Sequence, residues 1–176
     1  MKSARLLITL ACGRGCEYCA NKYPHIRKHM QKLEDVAQLA DYDMICLSGG
    51  EPFLRPVRFQ HTVEALYGQN EKQKLYVYTS LAHPVLRVAL PFLDGVTYTV
   101  HRNYDKKDIW GLVEVQNILE GDGGEHRLNL SPDIMEPLPI KPSVWSSIKI
   151  KTWRDVGDPL LCLPEDDMYV MGNFNS

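Results

Sequence analysis

The chain has 176 residues, 44% of them hydrophobic, and a formal net charge of −2, which suits one domain with a sizeable core. No run approaches the roughly 18 apolar residues of a membrane span, and no leader-type segment is expected. Three of the five cysteines lie within eight residues, a pattern unlike a disulfide framework, so the expected location is the reducing cytoplasm.

In chain order, Leu6–Leu10 is a short apolar, partly β-branched run that reads as a buried strand. A glycine-rich loop follows with Cys12, Cys16 and Cys19. Positions i, i+4 and i+7 would share one helical face. Gly13 and Gly15 oppose a helix there, each costing about 1 kcal/mol against Ala. Met30–Ala40 carries Leu33, Val36, Ala37, Leu39 and Ala40 at a helical period. Asp43–Ser48 reads as the second strand, ending in Gly49, Gly50, Glu51 and Pro52.

A helix is expected from about Val57 to Tyr67, with Gly68 as its stop signal. Lys74–Ser80 is the third strand, and Pro84–Leu93 a helix broken near its end by Pro91. Gly95–His101 is the fourth strand, rich in β-branched and aromatic residues. Lys106–Leu119 suits a helix closed by Gly121 and Gly123–Gly124, and His126–Leu130 a weak fifth strand. The four prolines of Pro132–Pro142 mark a loop, and Ser147–Thr152 alternates as a sixth strand. The expected division is a core over 1–153 and an irregular tail over 154–176, with apolar patches at Pro159–Pro164 and Met168–Met171.

Strands alternating with helices imply parallel βαβ units. A full (β/α)8 barrel takes about 250 residues. The expected fold is therefore α/β, a partial (β/α)6 open barrel of the TIM-like kind. In such sheets active sites gather at the C-terminal ends of the strands, where both the cysteines and Gly49–Pro52 fall.

Three cysteines on one loop can wrap a small inorganic centre. Structural zinc takes four tetrahedral ligands, commonly as two separated pairs; Cys46 and Cys162 stand alone, leaving His25 or His29 to supply the fourth. An iron–sulfur cluster is also held by thiolates, and three cysteines on a cubane leave one iron open. Glycines at a strand's end let a ligand approach the backbone closely.

The C-x3-C-x2-C spacing, with aromatic Tyr18 before the last cysteine, resembles the radical S-adenosylmethionine (SAM) enzymes. Gly49–Pro52 is similar to that family's second signature, the segment that holds the SAM amino group. The resemblance is specific over residues 6–52 and only architectural beyond. It implies the family's partial-barrel fold and an oxidoreductase or lyase type of activity with one [4Fe-4S] cluster held by Cys12, Cys16 and Cys19. One electron from the cluster would cleave SAM to methionine and a 5′-deoxyadenosyl radical. Tyr18, Gly49, Gly50, Glu51 and Pro52 are the cofactor-binding residues so implied.

Thr79, Ser80 and Arg102, at the ends of the third and fourth strands, join them as candidates for SAM or substrate; Arg102 would clamp a carboxylate or phosphate. Asn129, Ser131 and Thr152 occupy the later strand ends. His101 reads as a strand-end histidine satisfied by backbone, and Glu51 as a ligand-binding or positioning carboxylate. Cys46 reads as a buried apolar thiol, and two scattered cysteines are too few for an auxiliary cluster.

Residues 1–32 hold seven Lys or Arg against the single acid Glu17. The basic segment Lys22–Lys32 could steer an acidic low-potential donor, flavodoxin or ferredoxin, toward the cluster. Within the family, SGGEPF followed by KLYVYTS resembles the activases that make a glycyl radical on a partner enzyme. CEYCANKY resembles the 7-carboxy-7-deazaguanine synthases, with Asn21 where those carry Thr or Ser. From another class, a non-catalytic zinc- or cluster-bearing module remains; a nucleic-acid partner is not favoured, for want of a second cysteine pair.

Overall fold

In the computed structural model the described residues are 2–16, 19–101, 104–134, 136–151 and 167–171. They form one all-parallel sheet of eight strands: β1 (Ser3–Thr9), β2 (Gln31–Leu33), β3 (Met44–Gly49), β4 (Lys74–Thr79), β5 (Gly95–Val100), β6 (Arg127–Leu130), β7 (Ser147–Ile150) and β8 (Asp167–Met171). The spatial order is β2-β8-β1-β3-β4-β5-β6-β7. All six expected strands are present, and they sit side by side in sequence order from β1 through β3 to β7. The helices are α1 (Pro24–Arg27), α2 (Pro56–Gln69), α3 (Val85–Ala89) and α4 (Lys106–Leu119).

The two faces of the sheet differ, and the alternation of strand side chains explains it. Ala4, Leu6 and Ile8 of β1, Ile45 and Leu47 of β3, Leu75 and Val77 of β4, and Val96, Tyr98 and Val100 of β5 belong to one buried core. Phe59, Val63 and Leu66 of α2, Leu86 of α3 and Leu112 and Val115 of α4 complete it. The intervening positions are mostly polar or aromatic: Arg5, Ser48, Tyr76, Tyr78, Thr97, Thr99, Arg127 and Asn129. Parallel sheets covered on both faces read as continuous apolar runs; here the second face is apolar only where Leu7 and Met168 pack against Ile26 of α1.

Helix α4 follows its expected bounds, because Asp105 caps it by accepting from the N–H groups of Lys107 and Asp108. Helix α2 runs through Gly68 to Gln69 instead of stopping before it. Helix α3 ends at Ala89, and Pro91 lies in the 3-10 turn Leu90–Phe92 that follows.

Two expectations fail. Met30–Ala40 is not a helix: Gln31–Leu33 is β2, and Val36–Leu39 is a 3-10 turn capped by Asp35 and Gln38. The tail is not irregular throughout, since Asp167–Met171 enters the sheet as β8 between β1 and β2. Tyr42 holds that strand: its hydroxyl donates to Asp167 Oδ2 at 2.6 Å and lies 3.0 Å from the Tyr169 hydroxyl. Burial and these two neighbours push the Tyr42 phenol upward in pKa. Residues 152–166, with the expected strand end at Thr152 and the patch Pro159–Pro164, lie outside the described residues, as does Cys162.

Candidate functional site

The loop after β1 is stitched to the loop after β3 by backbone. Gly50 N–H donates to Thr9 O at 2.7 Å, and Glu51 N–H donates to Ala11 O at 2.9 Å. The glycines are needed for this approach. A Cβ on Gly50 would lie 2.1 Å from Ala11 O, and one on Gly49, at φ +140°, would lie 2.3 Å from Thr9 O. The chain's own cysteine loop thus fills the space that the glycines open.

Glu51 is only 6% exposed, and four donors surround its carboxylate. Oε1 accepts from Thr79 Oγ1 at 2.7 Å and from Phe53 N–H at 3.3 Å. Oε2 accepts from Ser80 N–H at 3.0 Å and Ser80 Oγ at 3.2 Å. Burial still raises the Glu51 pKa above the usual carboxylate value, outweighing the hydrogen bonds that act to lower it. About four lone-pair positions are available on a carboxylate, so Glu51 is saturated within the protein. It clamps the end of β3 to the end of β4.

Arg14, between Cys12 and Cys16, continues that network. Its Nε donates to Ser80 Oγ at 2.8 Å and its Nη2 to Ser80 O at 3.1 Å. The same guanidinium forms a two-pronged ion pair with Asp108 in the first turn of α4. The cysteine loop, the β4 end and α4 are thereby tied together. Lys22 anchors the loop's other side, donating from Nζ to Gly15 O at 2.6 Å.

These contacts frame a cavity of about 440 Å³ on the C-terminal side of the strands. Cys12, Cys16 and Cys19 line it together with Gly49, Gly50, Glu51, Thr79 and Ser80. Eight of the eleven candidate residues, drawn from three separate strand ends, therefore share one space. Pro52 does not line it; it is buried at the start of the 3-10 turn Pro52–Leu54. Tyr18 and Arg102 lie outside the described residues. Asn129 and Ser131 are buried elsewhere, with Ser131 donating to Asp133.

Arg14, Tyr78, Thr99 and His101 also line the cavity. Arg14 was legible only through its place between two cysteines, and Tyr78 and Thr99 only through strand alternation toward the polar face. His101 is pushed down to about 4, first by burial and then by the nearby Arg14 charge, so its imidazole is neutral near pH 7.

None of Cys12, Cys16, Cys19 and Cys46 is in a disulfide, and Cys46 is buried as expected. Among the described residues no group of three His, Cys, Asp or Glu side chains is drawn together tightly enough to hold a metal ion. The three thiols share a cavity without converging. A Cβ at Gly13 or Gly15 would meet nothing within 4 Å, so the loop is open at these two positions. The donor set, three thiols with solvent access on one wall, fits thiolate ligation of a small cluster. No helix among the described residues is long and apolar enough to cross a membrane. No family model and no curated protein matches the chain.

Proposed function

We propose that this protein is a radical SAM enzyme in which Cys12, Cys16 and Cys19 hold one [4Fe-4S] cluster and the cavity beside them receives SAM. One observation carries the reading: the cysteine loop and the Gly49–Glu51 strand end, which carry the two halves of the sequence resemblance, line the same cavity. When bound, the cluster and SAM would supply the one-electron chemistry that yields a 5′-deoxyadenosyl radical for hydrogen abstraction. On this reading β1 and β3–β7, six strands of the single parallel sheet, would correspond to the family's open six-strand barrel.

The chain's own residues position and enclose. Arg14 and Lys22 brace the cysteine loop on its two sides. Glu51, bound by Thr79 and Ser80, keeps the β3 and β4 ends at a fixed separation. The saturated Glu51 carboxylate leaves ligand contacts in the cavity to hydroxyls such as those of Tyr78 and Thr99. Neutral His101 adds a polar wall without a positive charge. The exposed Arg27 and Lys28 near the loop would meet an acidic flavodoxin or ferredoxin.

Anaerobic reconstitution with iron and sulfide tests the ligand set. About four irons and four sulfides per chain are expected, falling sharply in Cys16→Ala. Tight zinc without iron would overturn the reading in favour of a zinc module.

A further inference from the structure

A second cavity, of about 600 Å³, opens between the N-terminal half of α2 and the C-terminal ends of β1 and β8. Arg55, Arg58 and His61 line it, and among the described residues no carboxylate does. Their spacing of three residues places them on neighbouring turns of one side of the helix. Arg58 is oriented toward the strand ends, its Nη1 donating to Ile8 O at 3.4 Å. Arg55 and His61 are exposed, and no ion pair among the described residues involves any of the three. The first turn of α2 contains no acid, and no side chain caps it. Leu54 and Val57, 44% and 64% exposed, give the same cavity an apolar wall.

We propose that this cavity binds a phosphate-bearing small molecule, with the phosphate against Arg55, Arg58 and His61 and an apolar portion on Leu54 and Val57. The volume lies within the roughly 300–1,000 Å³ typical of small-molecule sites. Planar guanidinium forks match phosphate oxygens in pairs. A phosphate monoester carries about −1.5 to −2 charge, enough to balance two arginines, whereas one carboxylate would leave one of them uncompensated. Leu54 also lines a cleft that contains Cys12 and Glu51, so that cleft lies between the two cavities at the C-terminal ends of the strands. The proposal needs no cluster and stands apart from the radical reading.

Calorimetric titration of the full chain with pyrophosphate, without reconstitution, tests it. Saturable single-site binding is expected, weakened about tenfold or more by Arg55→Gln or by Arg58→Gln. Arg87→Gln, an exposed arginine of α3 outside the cavity, should leave it unchanged. Arg55 is exposed, so its variant remains decisive even if Arg58→Gln fails to fold. Absence of saturation, equal weakening by Arg87→Gln, or tighter binding of citrate than of pyrophosphate would each overturn the assignment.

Discussion

Gly50→Ala should detach the cysteine loop from the sheet. The added Cβ would sit 2.1 Å from Ala11 O, 2.5 Å from Ala11 C and 2.7 Å from Leu10 O, all backbone atoms that cannot rotate away. Relief requires separating the two loops, which breaks the bonds from Gly50 N–H to Thr9 O and from Glu51 N–H to Ala11 O. Each is worth about 1 kcal/mol net, and overpacking adds about 1–3 kcal/mol. The expected loss is about 3–5 kcal/mol, a large part of the roughly 5–15 kcal/mol that holds a domain of this kind together. Gly13→Ala is the control: it lies in the same loop, its Cβ would meet nothing within 4 Å, and its φ is not positive. That variant should stay within about 0.5 kcal/mol of the parent. Urea unfolding of both, with the alkylation rate of Cys16 and Cys19 in the native state, reads the difference. If Gly50→Ala matched Gly13→Ala in both measurements, the stitching of loop to strand would not hold the site.

Arg14→Gln removes the loop's ties to Ser80 and Asp108 and should cost about 2 kcal/mol, with faster alkylation of Cys16; urea unfolding and timed labelling check both. Stability should fall as pH drops below about 6.5, in part through His126. Burial lowers its pKa, outweighing the opposing effect of Asp122, whose Oδ2 lies 2.9 Å from Nε2. The unfolded imidazole therefore takes a proton before the folded one does. His126→Asn, which offers an oxygen to the Val96 N–H that His126 Nδ1 now accepts, should flatten that slope in melts at pH 7 and pH 5. Glu51 acts in the opposite sense, since its raised pKa favours the folded state at low pH. Reversing charge at Arg27 and Lys28 should slow reduction of the reconstituted protein by flavodoxin while sparing reduction by dithionite; if both rates are unchanged, the docking surface goes.

Most of the strands that meet consecutive neighbours were readable as short apolar, β-branched or aromatic runs, and β7 by its alternation. Helix α4 forms over the expected Lys106–Leu119, and the Asp105 cap fixes its start. The misreading of Met30–Ala40 has a physical cause. Leu33, Val36, Leu39 and Ala40 keep a helical spacing, but Gln31–Leu33 is recruited by Tyr169–Met171 from the far end of the chain. No local pattern announces so distant a pairing. The apolar residues Met168–Met171 were visible, yet five residues of strand could not be told from a tail patch without Tyr42 and Asp167 beside them.

In the site, the cysteines and Gly49–Glu51 stood out by spacing. The Glu51 clamp did not, because its partners Thr79 and Ser80 come from the next strand. Arg14 is a similar case. Its role depends on Asp108, a residue brought near only by packing of α4. The arginines of α2 carry no sequence signature at all; their common cavity is made by β1, β8 and α2 together.

The most direct measurement is chromatographic quantitation of 5′-deoxyadenosine after the reconstituted protein is given dithionite and SAM under anaerobic conditions. Formation of 5′-deoxyadenosine and methionine by the parent, abolished in Cys12→Ala, Cys16→Ala and Cys19→Ala, is the predicted result. Iron-loaded protein that leaves SAM intact, with and without candidate substrates, would contradict it.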